Sequence, residues 1–299
     1  MKTPQKPMPN LAKALGLKNE VWFKFENKHH LGSHKGRSIP RMIEEYLEKK
    51  VTSFVISSSG NAALAALLTV VAHNKNKPTS TLSLKIYVGE GVTKDKLLTL
   101  QSKQDSCISI EQVKNPKQSA LNFSKESGAT WLRGSTDPLA LIGYRSLSEE
   151  LLKIENLSAV FLAASSGTAA EGIMSGFNAA HTNPELHIVQ TDSCHPIINY
   201  LLENQNQTVP KVSLNNSLAD AIIDKVGHRK ESVTKAIINS NGAGWIASDA
   251  QINEAIELVK KETGEKISPN SALSVVGLKE AVLSGRKWKG PVACIIGGD

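Results

Sequence analysis

The feature that most constrains the fold is a repeated order of a short apolar run, a small polar loop and then a helical pattern. Residues 51–56 lead into Ser57-Ser58-Ser59-Gly60-Asn61 and the Ala/Leu-rich segment 62–73. Residues 84–88 pass through Gly89-Glu90-Gly91 to 94–103, and 107–113 are followed by 117–127. Residues 159–164 end in Ser165-Ser166-Gly167-Thr168-Ala169-Ala170 before the helical segment 171–180. Then 187–191 precede 197–203, and Val292–Ile296 closes the series before Gly297-Gly298. Runs that are apolar throughout are buried on both faces, and strands alternating with helices at this interval build a parallel sheet. The expected class is α/β with doubly wound parallel sheets, and 299 residues suffice for two lobes.

The loops carry the chemistry. Where a strand ends in small residues and a helix begins, unpaired N–H groups converge on one point and favour an anion. The 165–170 loop is the richer in hydroxyls, and a phosphate fits it, because small residues admit the ligand to the backbone. The 58–61 loop offers the same geometry to a second anion. Upstream, Val21, Phe23 and Phe25 alternate as in a strand. The chain then turns through Gly32-Ser33 and delivers Lys35 to the start of a helical pattern with apolar residues at Ile39, Met42, Ile43 and Tyr46. The positive end of a helix dipole and partial desolvation both favour the neutral amine, the form that attacks a carbonyl. Pro40 is expected in the first turn.

Further along, 137–143 reads as loop and 144–155 as helix, with Tyr144 and Arg145 as surface residues at its start. Residues 217–223 and 231–238 have helical patterns, 244–247 a short strand, 249–263 a helix capped by Ser248, and 271–284 a small-residue helix.

Several function classes are excluded. The formal charge is +7, but the basic residues are dispersed and cluster only briefly, as at Lys49-Lys50, Arg229-Lys230 and Arg286-Lys287; with aromatics at 5%, no nucleic-acid footprint emerges. Cys107, Cys194 and Cys294 are odd in number and far apart, which suits a reducing, cytoplasmic setting and neither a disulfide framework nor a zinc site. The first ten residues lack a secretory apolar core, and the longest mainly apolar run, 62–72, is about half of what a bilayer requires. His29, His30 and His34 flank the lysine, but adjacent residues of an extended segment point apart, so no metal is expected. No Gly-x-Gly-x-x-Gly follows a strand, which weighs against a dinucleotide oxidoreductase.

Taken together, these stretches resemble the pyridoxal-phosphate enzymes of the tryptophan synthase β-subunit fold type, which include threonine synthase, threonine and serine dehydratases and cysteine synthase. Gly32-Ser33-His34-Lys35-Gly36-Arg37 resembles the Gly-Ser-Phe-Lys-x-Arg motif, Ser58-Ser59-Gly60-Asn61 the Ser-x-Gly-Asn loop, and Ser165-Ser166-Gly167-Thr168 the glycine-rich phosphate loop. Residues 217–222 and 268–272 more loosely resemble stretches of threonine synthase. The resemblance implies that Lys35 carries the cofactor and acts as the base, and that Ser165, Ser166, Gly167, Thr168 and Ala169 hold its phosphate. It also implies that Ser58, Ser59, Gly60 and Asn61 hold the substrate carboxylate, with Asn61 also beside the cofactor. Two lobes follow, a smaller mobile one over 36–145 and a larger one from 1–35 and 146–299, with the cofactor cleft between them and a homodimer as the assembly. The implied activity is β- or γ-elimination or replacement on a small amino acid.

The chain departs from the pattern at Ile296, where the family presents a hydroxyl or thiol to the pyridine nitrogen, and Ser268 replaces a glutamate. Cys294 shares the strand face with Ile296 but lies about 7 Å up it. The alternative this raises is a cofactor-binding relative with little activity that serves as a regulatory or partner subunit.

Overall fold

The computed structural model describes residues 2–298. Its strands are β1 (Gln5–Pro7), β2 (Val21–Phe25), β3 (Ser53–Ser57), β4 (Ser83–Gly89), β5 (Ile108–Val113), β6 (Thr130–Trp131), β7 (Ala159–Ala163), β8 (Glu185–Thr191), β9 (Ala243–Ala247) and β10 (Val292–Ile296). The helices are α1 (Pro9–Ala14), α2 (Lys35–Glu48), α3 (Asn61–Asn76), α4 (Lys94–Gln101), α5 (Pro116–Ser127), α6 (Leu139–Leu151), α7 (Thr168–Ala179), α8 (Pro196–Asn204), α9 (Lys230–Asn239), α10 (Asp249–Thr263) and α11 (Pro269–Leu283). They form two compact units, one of Met1–His29 with Tyr144–Asp299 and the other of His30–Gly143.

In the first unit six strands lie in the order β1-β2-β10-β7-β8-β9, parallel except for the antiparallel pair β1 and β2. Successive side chains of these strands enter opposite cores. Phe23, Phe25, Phe161, Val189, Cys294 and Ile296 pack with Leu11, Val259 and Leu278 on one face. Val160, Leu162, Leu186, Ile188 and Ile295 pack with Leu147, Ile173, Ile197 and Val233 on the other. The doubly wound, buried sheet expected from the apolar runs is therefore present. Polar strand residues interrupt the apolar pattern, Lys24 among them: it is fully buried, and its ammonium pairs with Glu150 and donates to Thr3 O at 2.8 Å. Thr3 N in turn donates to Glu150 at 3.1 Å, so this cluster ties the N-terminal segment to α6.

The second unit has the all-parallel sheet β5-β4-β3-β6. Phe54, Ile56, Leu84, Ile86 and Val88 pack with Ile39, Met42, Leu67 and Val70 on one face. Val55 and Tyr87 pack with Ala120 on the other.

Four expectations are corrected. Residues 217–223 form no helix, because side chains occupy their backbone: Leu218 N donates to Asp249 Oδ1 at 3.0 Å, and Ile223 N to Ser165 Oγ at 3.2 Å. Helix α6 begins at Leu139 rather than 144, since Asp137 Oδ1 accepts from Leu139 N at 2.9 Å and Pro138 suits a helix start. Tyr144 is consequently fully buried inside that helix and is not a surface residue. Gly143 is required in it: a Cβ there would lie 2.0 Å from Arg37 O. Pro40 is the sixth residue of α2, beyond the first turn.

Candidate active site

In the second unit, Ser33 builds the lysine turn. Gly32 takes φ +85°, a left-handed conformation natural to glycine, and the buried Ser33 follows it. Lys35 N donates to Ser33 Oγ at 3.2 Å and Gly36 N to Ser33 O at 2.9 Å. One serine thus satisfies two of the N–H groups that a helix start leaves open. Lys35 becomes the first residue of α2 and is half-buried.

The second loop of this unit leaves β3 at Ser57 and starts α3 at Asn61. Ser58 Oγ accepts from Gly60 N at 3.3 Å, and Gly60 provides no side-chain cap. Ser58, Ser59, Gly60 and Asn61 are all half-buried. The 16-residue α3 thus starts at a partly sheltered strand end with a glycine N-cap that supplies no side chain.

In the first unit, β7 runs into Ser165-Ser166 and the N-cap Gly167, at φ +88°. The first α7 bond that reaches back to the loop is Glu171 N to Gly167 O at 3.0 Å, and Gly167 supplies no capping side chain. By helix geometry the N–H groups ahead of Glu171 lack intrahelical acceptors. A Cβ on Gly167 would lie 2.8 Å from Val233 Cγ2 and 3.2 Å from Ile197 Cδ1, so two neighbouring helices close on the loop and only glycine fits.

The hydroxyls divide their work. Ser165 Oγ accepts from Ile223 N and Asp224 N, both at 3.2 Å, and so pins the 223–224 segment to the loop. Ser166 Oγ and Thr168 Oγ1 are 2.9 Å apart. Beneath them the fully buried Gln190 acts as a brace: its Nε2 donates to Ala164 O at 2.9 Å, while its Oε1 accepts from Ile197 N at 3.0 Å and Ile198 N at 3.2 Å.

Sequence reasoning misses Arg229. In the sequence it reads as half of a solvated basic pair, yet its Nη1 meets Glu171 Oε2 at 2.9 Å, its Nε donates to Thr168 Oγ1 at 3.3 Å, and its side chain is 10% exposed. A basic residue just after Gly227-His228 carries no marker in the sequence that separates it from Lys230.

At the end of β10, Ile296 is fully buried and stands in register with Phe25. Cys294 donates its S–H to Ser274 O at 3.6 Å, and burial pushes its thiol far above the usual range, so it stays an inert core group. Ser268 and Ser271, at the start of α11, tie down the glycine turn: Ser268 Oγ donates to Gly298 O at 2.9 Å and Gly298 N to Ser271 Oγ at 3.3 Å. Near Lys35, His29 is buried and His30 exposed. Among the described residues no group of three His, Cys, Asp or Glu gathers as metal ligands would, and no helix is long and apolar enough to cross a membrane.

A lysine at a helix start and two helix starts with glycine N-caps, set on parallel sheets, define an α/β protein of the doubly wound kind. The family described as pyridoxal-phosphate dependent enzyme matches residues 1–298, and the chain belongs to it. A threonine synthase from Methanocaldococcus jannaschii is 25% identical over 297 residues, spanning 95% of this chain and 70% of that protein. Maize serine racemase superposes with a TM-score of 0.82 at 15% identity, over 100% of this chain and 88% of the other. Threonine deaminase isoform 2 from Solanum lycopersicum gives 0.79 at 18% identity, over 100% and 84%. These likenesses to solved structures show the fold. The family membership and α/β class read from the motifs are borne out, and the cofactor is pyridoxal phosphate. The residues present are compatible with that group at the 165–169 loop: the N-cap Gly167, crowded by Val233 and Ile197, puts no capping side chain at the start of α7, where an anion is favoured.

Proposed function

We propose that the protein uses pyridoxal phosphate for elimination or replacement at the β or γ carbon of a small amino acid, as the relatives named threonine synthase and threonine deaminase suggest. The observation that carries this reading is the pair of helix starts without side-chain caps, at Gly60 and Gly167, each following a parallel strand. One suits a carboxylate and the other a phosphate.

When bound, pyridoxal phosphate supplies an electron sink for the pair left on the substrate α carbon. The chain supplies the remainder. Lys35 would hold the cofactor covalently through its amine and, with substrate bound, would take the α proton as general base. Ser58, Ser59, Gly60 and Asn61 grip the substrate carboxylate and so fix the direction of the Cα–H bond. The N–H groups of Ser166, Gly167, Thr168 and Ala169 hold the phosphate, while Ser165 keeps the loop in place. The expected assembly is a homodimer, which sedimentation would test.

The test is a screen of purified, cofactor-loaded protein with serine, threonine, phosphohomoserine and O-acetylserine, with product detection. Turnover of one of them that is lost in Lys35→Ala is expected. A second reading is that the protein binds the cofactor but turns over little, as a regulatory or partner subunit. It is favoured by the apolar, fully buried Ile296 at the end of β10. Spectral changes with every compound and product with none would select it.

A further inference from the structure

We propose that Arg229 prepares the 165–169 loop for a phosphate dianion, by neutralising Glu171 and by holding Thr168 and the loop backbone in place. The proposal rests on that loop being the phosphate site. Glu171 lies in the first turn of α7, so its carboxylate and a bound phosphate draw on the same positive helix pole and repel each other. Arg229 removes the conflict: its guanidinium pairs with Glu171 at 2.9 Å in a nearly buried position. The arginine backbone is itself fixed to the loop, with Arg229 N donating to Ser166 O at 3.2 Å. A guanidinium donates only, so Thr168 Oγ1 is the acceptor of the Arg229 Nε bond at 3.3 Å. Thr168 Oγ1 also lies 2.9 Å from Ser166 Oγ, so through it the arginine is linked to a second hydroxyl of the loop. Arg229 is thus a positioning residue, acting through Thr168 and Glu171.

The experiment compares equilibrium binding of pyridoxal phosphate and of pyridoxal, which lacks the phosphate, to the full chain stripped of cofactor, followed by visible absorbance. Arg229→Met should weaken pyridoxal phosphate by about 5–30-fold, the range expected for a charge at a partly buried helix end, and leave pyridoxal unchanged. Glu171→Gln added to that variant should restore most of the loss, and Glu171→Gln alone should tighten pyridoxal phosphate. Equal losses for both ligands, no loss, no restoration by Glu171→Gln, or weaker phosphate binding in Glu171→Gln alone would each overturn the proposal. Should Arg229→Met not fold, Arg229→Lys, which keeps the charge but not the forked geometry, serves in its place with a smaller loss confined to pyridoxal phosphate. A Gly167→Ala variant, which distorts the loop backbone itself, separates the two levels. If it leaves the preference for pyridoxal phosphate intact, the loop is not the phosphate site. If it lowers that preference while Arg229→Met does not, the proposal for Arg229 alone falls.

Discussion

Substituting Gly167 by alanine tests the proposed phosphate loop where the structure leaves least freedom. At φ +88° an L-residue meets its own carbonyl, a strain of about 1–2 kcal/mol. The new methyl would also stand 2.8 Å from Val233 Cγ2, 3.2 Å from Ile197 Cδ1 and 3.3 Å from Arg229 Cβ. Val233 and Ile197 are fully buried, so neither can swing away, and overpacking of this kind costs about 1–3 kcal/mol. The sum is roughly 2–5 kcal/mol in any state that keeps the loop as it stands. If the loop holds the cofactor phosphate as proposed, the loaded protein must keep it, so chemical unfolding of the loaded enzyme should show the full cost. The cofactor-free protein can relax the loop and recover part of it. Whatever it recovers must reappear as weaker cofactor binding, about tenfold for each 1.4 kcal/mol. The assay is urea unfolding with and without cofactor, together with a cofactor titration by absorbance. Gly60→Ala is the control, because a Cβ there meets nothing within 4 Å. A loaded Gly167→Ala protein within about 0.5 kcal/mol of wild type, as for an unconstrained surface change, would refute the tight, left-handed loop.

Three further outcomes are expected. Lys24→Met strips the buried Glu150 of the ammonium it holds and should destabilise the protein by about 3–5 kcal/mol, whereas the double change Lys24→Met/Glu150→Leu should recover most of that, both read from urea midpoints. Gln190→Leu leaves Ile197 N and Ile198 N without their acceptor, at about 1–3 kcal/mol for each buried group, and should lower the melting temperature and loosen cofactor binding together. His187 accepts from Trp245 Nε1 on Nδ1 and therefore donates from Nε2 to Glu185, the pattern of a neutral ring. Burial lowers its proton affinity in the folded state, so the unfolded chain binds the proton first: stability is fully present above about pH 6.5 and declines as the pH falls below it. Glu185 adds a later loss. Burial alone would raise its pKa, but the hydrogen bonds from His187 and Trp288 outweigh burial and hold it below the usual range, so its contribution disappears only as the carboxylate protonates. His187→Gln, which can keep both bonds without titrating, should flatten the first decline in a pH series of unfolding midpoints and leave the second.

The fold is legible in the sequence because the parallel strands are mostly apolar runs, and β3 and β7 end in small-residue loops that lead into helices. The short strands β1 and β6 are not. Gln5-Lys6-Pro7 and Thr130-Trp131 have too few residues to show any period, and they exist because a neighbouring edge is available to pair. The 217–223 segment misleads for the opposite reason: its helical spacing is real, but Asp249 and Ser165 are distant in sequence and claim its N–H groups. At the site, Lys35 and the two loops can be named because glycine and serine mark turns that little else can make. Arg229 and Gln190 cannot, since each acts through partners on other elements, and a long polar side chain reads the same in a sequence whether it faces water or a loop. Ile296 does stand at the end of the last strand as the sequence places it, and the structure adds the pair Ser268 and Ser271 that secures the turn after it.

The central claim is that Lys35 carries the cofactor. The most direct measurement is borohydride reduction of the loaded protein followed by proteolysis and mass spectrometry of the labelled peptide. The expected result is a single pyridoxyl group on Lys35, in the peptide containing Gly32-Ser33-His34-Lys35-Gly36, and its loss in Lys35→Ala together with the visible absorbance. Label on another lysine, or undiminished absorbance and labelling in Lys35→Ala, would contradict it.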